Sequence, residues 1–232
     1  MDIDNLRQYV IKHLNSFDFD NMVGVFGDSG EYPEGDIDWI YDNIDDIENV
    51  LHGASKLVLK FKGIDDYVIK IPFLGEYSNY DAKEISEFQY AAECLPEGFS
   101  TENDWDYCKT EEICSEYAEQ CGVGNLVAQT KYLCSIDDYP IYYAEAMFDE
   151  CSFFDISNKD MALADTIIDE HCGAIDISRE VVGQFVHDWG KELTGKFYEF
   201  LTACGCNDAG DWNFMEDDSN KIKFIDCSGY SG

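Results

Sequence analysis

The chain has 232 residues, enough for one large domain or two small lobes, and 45% of them are apolar, which excludes a disordered tail protein. Its 49 acidic side chains face only 15 basic ones, giving a formal net charge of -34. Binding of nucleic-acid phosphate through the overall field is excluded, because that mode needs net positive charge. We therefore expect no direct nucleic-acid binding.

The amino end, beginning Met1-Asp2-Ile3, has no basic segment followed by an apolar core, so it predicts no secretory signal. No apolar run approaches the roughly 18 to 20 residues of a membrane span. We expect a cytoplasmic protein that does not enter membranes. The ten cysteines include no Cys-x-x-Cys pair, so buried or idle reduced thiols are favoured over a zinc site.

Two contrasting segments open the chain. Residues 2 to 15 place Ile3, Leu6, Val10, Ile11 and Leu14 at three- and four-residue spacing, which predicts an amphipathic helix. Residues 18 to 48 are rich in glycine, proline and acids. This segment is interpreted as a solvated, loosely structured face or as an acidic docking surface.

A small antiparallel sheet is predicted next. Residues 57–61 and 67–72 are β-branched strands joined by a tight turn, and a third strand is expected ahead of His52. Lys56, Lys60, Lys62 and Lys70 make this region locally positive, so an anionic ligand could sit there.

The remaining elements alternate between helical and strand patterns. In chain order they are helices at 81–94 and 106–121, strands at 126–133 and 139–147, helices at 161–172 and 178–203, and a hairpin formed by 212–214 and 222–225. This order predicts an α+β fold with two lobes, the first built on a five-stranded antiparallel sheet.

Four polar features contain the candidate catalytic and binding residues. They are Lys70 near the end of an apolar strand, the turn 52–56, the segment 207–213, and Ile225-Asp226-Cys227-Ser228-Gly229. Residues 206–213 resemble the catalytic loop of the protein-kinase-like superfamily, His-Arg-Asp-Leu-Lys-Pro-Glu-Asn, without a gap. Val68-Ile69-Lys70 is similar to the family's Val-Ala-Ile-Lys, and the chain's ending is similar to that of small kinase-like proteins of bacterial viruses.

The resemblance implies a role for each matched residue. Lys70 contacts the phosphates of ATP, Asp208 accepts the hydrogen bond of the attacking hydroxyl, and Asn213 and Asp226 hold Mg²⁺. A helix glutamate pairs with Lys70, and Glu111 is the first choice, with Glu112 next. Hard oxygen ligands suit Mg²⁺ rather than zinc.

The resemblance also implies where the phosphate loop and the adenine-binding hinge lie, and which parts of a kinase are missing. Gly53 and Ser55 would form the phosphate loop, and Glu145 to Met147 would form the hinge that reads adenine. Gly53 is a lone glycine, which departs from Gly-x-Gly-x-x-Gly. The chain stops six residues after Asp226, so we expect no activation segment and no standard peptide groove.

These expectations divide the chain into three regions. Residues 1–46 form an acidic helical extension, 47–148 a kinase-like amino lobe with an insertion near 76–104, and 149–232 a reduced carboxyl lobe ending just after the metal-binding aspartate.

Two functions follow from these expectations. The first is an ATP- and Mg²⁺-dependent phosphotransferase with an unknown acceptor. If the source is a bacterial virus, the enzyme would act on a host protein in the host cytoplasm. The alternative is a non-catalytic acidic inhibitor, a nucleic-acid mimic that blocks the basic groove of a host defence or nucleic-acid-binding protein. We expect a nucleotide ligand and a protein partner with a basic surface.

Overall fold

The computed structural model of the chain describes residues 1–26, 36–52, 56–73, 106–147, 149–150, 156–171, 175–204, 210 and 213–225. These residues form an α+β structure, and the predicted α+β class is confirmed. The helices are α1 (Ile3–Leu14), α2 (Phe19–Phe26), α3 (Asp36–Asn43), α4 (Tyr107–Gln120), α5 (Asn158–Glu170), α6 (Arg179–Trp189) and α7 (Lys191–Ala203), with a short 3-10 helix at Gly124–Leu126. The strands are β1 (Ile47–His52), β2 (Lys56–Phe61), β3 (Tyr67–Pro72), β4 (Thr130–Ile136), β5 (Tyr139–Glu145), β6 (Asp149–Glu150), β7 (Phe214–Glu216) and β8 (Ile222–Phe224).

The chain divides into two compact units. Among described residues, the first contains α1 to α3, β1 to β5 and the part of α4 that ends at Glu112. The second contains the rest of α4, the 3-10 helix, α5 to α7 and β6 to β8.

The first unit is built on a five-stranded antiparallel sheet in the order β1-β2-β3-β5-β4, as predicted. Alternate side chains of a strand point to opposite faces. The inner face of β2 and β3 supplies an apolar set that joins the core, namely Leu57, Leu59, Phe61, Ile69 and Ile71. The opposite face carries Lys56, Val58 and Lys70, since Val58 pairs with Lys70 in the register of β2 and β3.

Helix α1 closes the inner face of this sheet. Its Leu6, Val10 and Leu14 are fully buried in the same core cluster, as the spacing predicted, whereas Ile11 is 38% exposed. Asp2 caps the helix by accepting a hydrogen bond from the backbone N–H of Asn5 at 2.9 Å. The Arg7 Nε donates to the carbonyl of Leu133 at 2.9 Å, which ties α1 to β4.

The prediction of a loosely structured segment between residues 18 and 48 is wrong for the part that is described. Two helices, α2 and α3, lie there. Their buried side chains, together with the residues flanking them, are Phe17, Phe19, Met22, Ile40 and Ile44. Dense acids between these positions hide the apolar period, but acids on the solvent face do not prevent a helix from packing.

The second unit has its own apolar core. Phe185, Phe197, Phe200, Phe214 and Phe224 are buried together in it. The single long helix predicted over 178–203 is wrong, because the chain breaks at Gly190 into α6 and α7. Gly190 has a φ of +81° and a ψ of 158°, a backbone conformation that is almost restricted to glycine.

A three-stranded sheet in the order β6-β7-β8 completes the second unit. The predicted hairpin corresponds to β7 and β8, and Asn220 in its turn has a φ of +54°. The strand predicted from residue 126 begins instead at Thr130, because residues 124–126 form the 3-10 helix. None of the described helices is both long enough and apolar enough to cross a bilayer.

Candidate functional site

A buried ion pair joins β3 to α4 in the first unit. The Lys70 Nζ lies 2.6 Å from Glu111 Oε2, and both residues are at most 5% exposed. Thr130 of β4 completes the contact, because its hydroxyl donates to the same Glu111 oxygen at 2.8 Å and accepts from Lys70 Nζ at 3.1 Å. Glu111 is thus the glutamate that pairs with Lys70.

Lys56 is a second lysine at the same carboxylate, which the sequence reasoning did not include among the site residues. Its Nζ lies 2.5 Å from Glu111 Oε1, the oxygen that Lys70 does not contact. Residue 56 precedes Val58 by two positions, so it projects from the same sheet face as Lys70. The sequence did indicate this position. Residues 56, 58 and 60 lie on one face of β2, which begins at Lys56, and several lysines occur in this region.

Glu112, the second choice for the Lys70 partner, holds a different position. Its carboxylate lies 2.6 Å from Lys109 Nζ and accepts the backbone N–H of Tyr132 at 2.7 Å. Tyr132 belongs to β4, an edge strand of the sheet. Glu111 and Glu112 therefore anchor the start of α4 to two different parts of one sheet.

Asp106 makes a third anchor at the start of α4. It accepts the backbone N–H of Lys109 at 2.9 Å, as an N-cap does, and the phenol of Tyr142 at 2.6 Å. Burial raises the pKa of Asp106, and the hydrogen bond from Tyr142 opposes that rise. Burial, together with the bond to Asp106, raises the pKa of Tyr142 far above its ordinary value.

Cys108 lies one turn before Glu111 and is fully buried. Burial raises the pKa of its thiol well above the ordinary value, and the nearby Glu111 carboxylate adds to the rise. The side chain is therefore held as a neutral, buried thiol.

A half-exposed apolar strip borders the lysines on the same sheet face. Leu51 of β1 pairs with Val58, and Val58 pairs with Lys70, so the three side chains lie side by side across three strands. Leu51 is 58% exposed, and Val58 and Val68 are half-buried. This face thus places an apolar surface beside two ammonium groups.

The predicted hinge, Glu145 to Met147, follows the end of β5, and the chain passes between the units after Ala146. The side chains of Glu145 and Met147 are half-buried. The backbone N–H of Ala146 donates to the carbonyl of Asp66 at 3.0 Å, so this N–H already has a hydrogen-bond partner within the first unit.

Asn213, a predicted metal ligand, lies at the start of the β7–β8 hairpin in the second unit. It is 7% exposed, and its carbonyl accepts the backbone N–H of Ile225 at 2.9 Å. This bond extends the register in which Phe214 pairs with Phe224. Nearby in the hairpin, Lys223 forms an ion pair with Asp217 at 3.5 Å.

Four predicted site residues lie outside the described residues, namely Gly53, Ser55, Asp208 and Asp226. The helix predicted at 81–94 and the insertion near 76–104 also lie outside them. Within the described part of the chain, no group of three or more His, Cys, Asp or Glu side chains could hold a metal ion.

The sequence matches no protein-family model, and no curated protein matches it. Among solved structures, the chain is similar to the streptomycin-ATP ternary complex of APH(2")-IIa. The match has 12% identity and a TM-score of 0.32 and covers 86% of this chain and 72% of that one. A TM-score of this size transfers no residue role, so the assignment of function depends on the residues of this chain.

Proposed function

We propose that the chain is a kinase-like phosphotransferase that binds ATP with Mg²⁺. The buried Lys70–Glu111 ion pair carries this proposal. Moving a phosphoryl group requires a fixed positive charge against the phosphates, and a lysine held by a helix glutamate supplies one. A solvated surface lysine would not be held at 5% exposure by a carboxylate and a threonine.

The neighbouring surface supports a nucleotide rather than a bare phosphate. Leu51, Val58 and Val68 offer apolar contact to a base on the face that also carries Lys70. A nucleotide combines an apolar ring with a polyanionic tail, so this arrangement suits both of its parts.

The metal and acceptor roles are part of the same proposal and are supported by sequence spacing. Asn213 and Asp226 offer the oxygen ligands that Mg²⁺ prefers, and Asp208 would orient the acceptor hydroxyl. When bound, Mg²⁺ would neutralise charge on the phosphates. The acceptor is a protein hydroxyl or a small molecule.

Calorimetric titration of ATP, with and without Mg²⁺, tests the nucleotide site. We expect the wild-type protein to bind ATP and Lys70→Met to bind at least tenfold more weakly, because charged hydrogen bonds contribute about 1.5 to 3 kcal/mol. Lys60→Met is the matched control, since Lys60 lies on the same face of β2 as Lys56 and donates a hydrogen bond to the carbonyl of Asp65. Absence of binding at millimolar ATP would overturn the proposal.

Phosphoryl transfer is tested separately with γ-labelled ATP and mixed protein and small-molecule acceptors. Asp208→Asn and Asp226→Ala should abolish the labelled product while leaving the urea unfolding curve unchanged. Label transfer by both variants at the wild-type rate would contradict their assigned roles.

A second candidate is an acidic binding protein that blocks a basic groove, and the net charge of -34 favours it. Asp38, Asp42, Asp45 and Asp46 are exposed in and just after α3. If the source is a bacterial virus, as the ending of the sequence suggests, the partner would be a host protein acting in the host cytoplasm. Such binding should weaken steeply with added salt and should be unaffected by Lys70→Met.

A further inference from the structure

We propose that a polar cavity at the carboxyl end of helix α1 binds a short peptide whose amino and carboxyl ends are both free. The cavity has a volume of about 690 Å³, which lies within the range of small-molecule sites, about 300 to 1,000 Å³. The described residues that line it all belong to the first unit and include none of the proposed nucleotide site. The inference therefore stands independently of the proposed function.

The cavity forms where two helices end beside the first strand pair of the sheet. Helix α1 ends at Leu14 and α3 ends at Asn43, and residues from both ends line the cavity. The strand pair contributes Asp46 and Lys62, and the backbone N–H of Lys62 donates to the carbonyl of Asp46 at 2.8 Å. The backbone around the cavity is thus held by regular elements on each side.

Charges of both signs line the cavity without neutralising one another. Lys12 and Lys62 are exposed, and in the described part of the chain neither forms an ion pair. Asp45 is also exposed and has no ion pair there. The side chain of Asp46 is 56% exposed, and its ion-pair neighbour among the described residues is His13, with Nε2 at 3.9 Å. These four charged groups are therefore accessible to a ligand from solvent.

The mixture of signs decides the charge of the ligand. An anion would be attracted by the two lysines and repelled by the two aspartates, and a cation would meet the opposite balance. A ligand that carries one positive and one negative group can place each of them against a charge of opposite sign. A zwitterion is therefore favoured over an ion of either sign.

The uncharged polar residues of the cavity suit a peptide. Asn15, Ser16 and Asn43 line it and are exposed. Amide and hydroxyl side chains both donate and accept hydrogen bonds, as a peptide group does. Tyr41, which is 43% exposed, adds an aromatic surface for a small apolar side chain. A short peptide can use all of these groups, whereas a single amino acid has no peptide group to offer.

His13 lies deeper in the wall of the cavity. Its side chain is 6% exposed, and its ring lies 4.3 Å from the ring of Tyr9, between centroids. The buried Nε2 has no hydrogen-bond partner among the described residues, although buried polar atoms usually have one. This wall is therefore not packed as an apolar core is, and the exposed charged groups make the contacts with the ligand.

Titration with trialanine, followed in ¹H–¹⁵N correlation spectra of the full chain, tests the inference. The matched probes are acetylated trialanine, which lacks the positive charge, and trialanine amide, which lacks the negative charge. We expect trialanine to bind about three- to tenfold more tightly than either, because each capped form loses one exposed ion contact. The backbone signals that move should be those of residues 12–16, 41–47 and 62.

Two double variants test which charges hold each end of the peptide. Lys12→Gln with Lys62→Gln should weaken trialanine about three- to tenfold without weakening trialanine amide, which has no carboxylate. Asp45→Asn with Asp46→Asn should weaken trialanine without weakening acetylated trialanine, which has no ammonium group. All four positions are exposed, so the fold should be kept.

The matched control is Lys131→Gln with Lys159→Gln. Both lysines are exposed and lie outside the lining of the cavity, so this variant removes the same charge from other places. At about 0.15 M salt, where distant charges are screened, it should bind trialanine within about twofold of wild type.

Three results would overturn the inference. The first is trialanine that moves no signal at about 10 mM or moves only signals of other residues, and the second is trialanine that binds no more tightly than its capped forms. The third is equal weakening of all three peptides by the lysine double variant, because that would show a disturbed structure and not a lost carboxylate contact. The ATP titration of the proposed function is unaffected by any of them, since Lys70 does not line this cavity.

Discussion

Glu111 contacts two lysines, one through each of its carboxylate oxygens. Two lysines contact it in a part of the molecule where all three side chains are nearly inaccessible to water. Burying such charges is favourable only while each has its partner, because an unpaired charge in a low-dielectric region is strongly destabilising. Removing the carboxylate charge should therefore affect stability more than removing either lysine.

Replacement of Glu111 by Gln should lower the free energy of unfolding by about 3 to 5 kcal/mol, because it removes the buried charge that both Lys56 and Lys70 contact. Urea denaturation measures this loss. Glu112→Gln is the matched control on the next residue, since it contacts Lys109, which is far more exposed, and should cost less than about 1 kcal/mol. Equal losses in the two variants would show that the Glu111 cluster has no special energetic role.

The pKa of Asp106 should rise further in Tyr142→Phe, because the phenol donates a hydrogen bond that favours the ionised carboxylate. The ¹³Cγ chemical shift of Asp106 against pH measures it. Tyr143→Phe is the control, since Tyr143 has no hydrogen bond to Asp106 among those described and lies on the other face of β5. A lower pKa in Tyr142→Phe would contradict the assigned direction.

The raised pKa of Asp106 also fixes the sign of a pH effect on stability. A folded protein that raises the pKa of a carboxyl binds its proton more tightly than the unfolded chain does. The stabilising contribution is therefore complete below the ordinary value of 3.8 and is lost as the pH rises through the folded pKa of Asp106. Asp106→Asn should remove this part of the pH dependence from urea unfolding curves.

At the scale of elements, the junction between α6 and α7 gives a paired test of glycine. Gly190→Ala should destabilise the protein by about 1 to 3 kcal/mol, because the backbone there has a φ of +81°. Gly195→Ala lies inside α7, meets nothing within 4 Å and should stabilise the protein by about 0.5 to 1 kcal/mol. Thermal unfolding of the two variants gives opposite signs, and equal signs would contradict the assigned backbone conformations.

Some elements could be predicted from sequence because their signals were local. The β2–β3 hairpin combined β-branched runs with a tight turn, and α1 combined a cap with an apolar period. The break at Gly190 could not be predicted, because apolar positions keep nearly the same period on both sides of it. Only the backbone conformation of Gly190 shows that the helix ends there.

Part of the candidate site could also be predicted from local sequence signals. Lys70 and Glu111 were recognised from a strand motif and from a helix between strands, and their contact is present in the structure. The role of Lys56 was missed, because a lysine at the start of a strand resembles a solvated one in sequence. Its burial depends on Glu111, which is 55 residues away in the chain, and so is a tertiary property.

At the scale of the whole molecule, the net charge of -34 should make folding sensitive to salt. Repulsion among acids destabilises the compact state, and added salt screens that repulsion. We expect the midpoint of thermal unfolding to rise between about 0.01 and 0.5 M potassium chloride, over which the Debye length falls from about 30 Å to a few ångströms. A falling midpoint would show that attractive ion pairs outweigh the repulsion. The same measurement in a series of sucrose concentrations controls for solute effects that are not ionic.

The buried thiol of Cys108 makes the contact between α4 and its sheet measurable without any label added beforehand. Its neutral form and complete burial protect it from alkylating reagents for as long as the helix stays in place. The rate at which iodoacetamide modifies Cys108, followed by mass spectrometry of the digested chain, therefore reports how often this helix leaves the sheet. Nucleotide binding at Lys70, which lies close to this thiol, should slow that rate, so Cys108 provides an independent reporter of whether the site is occupied.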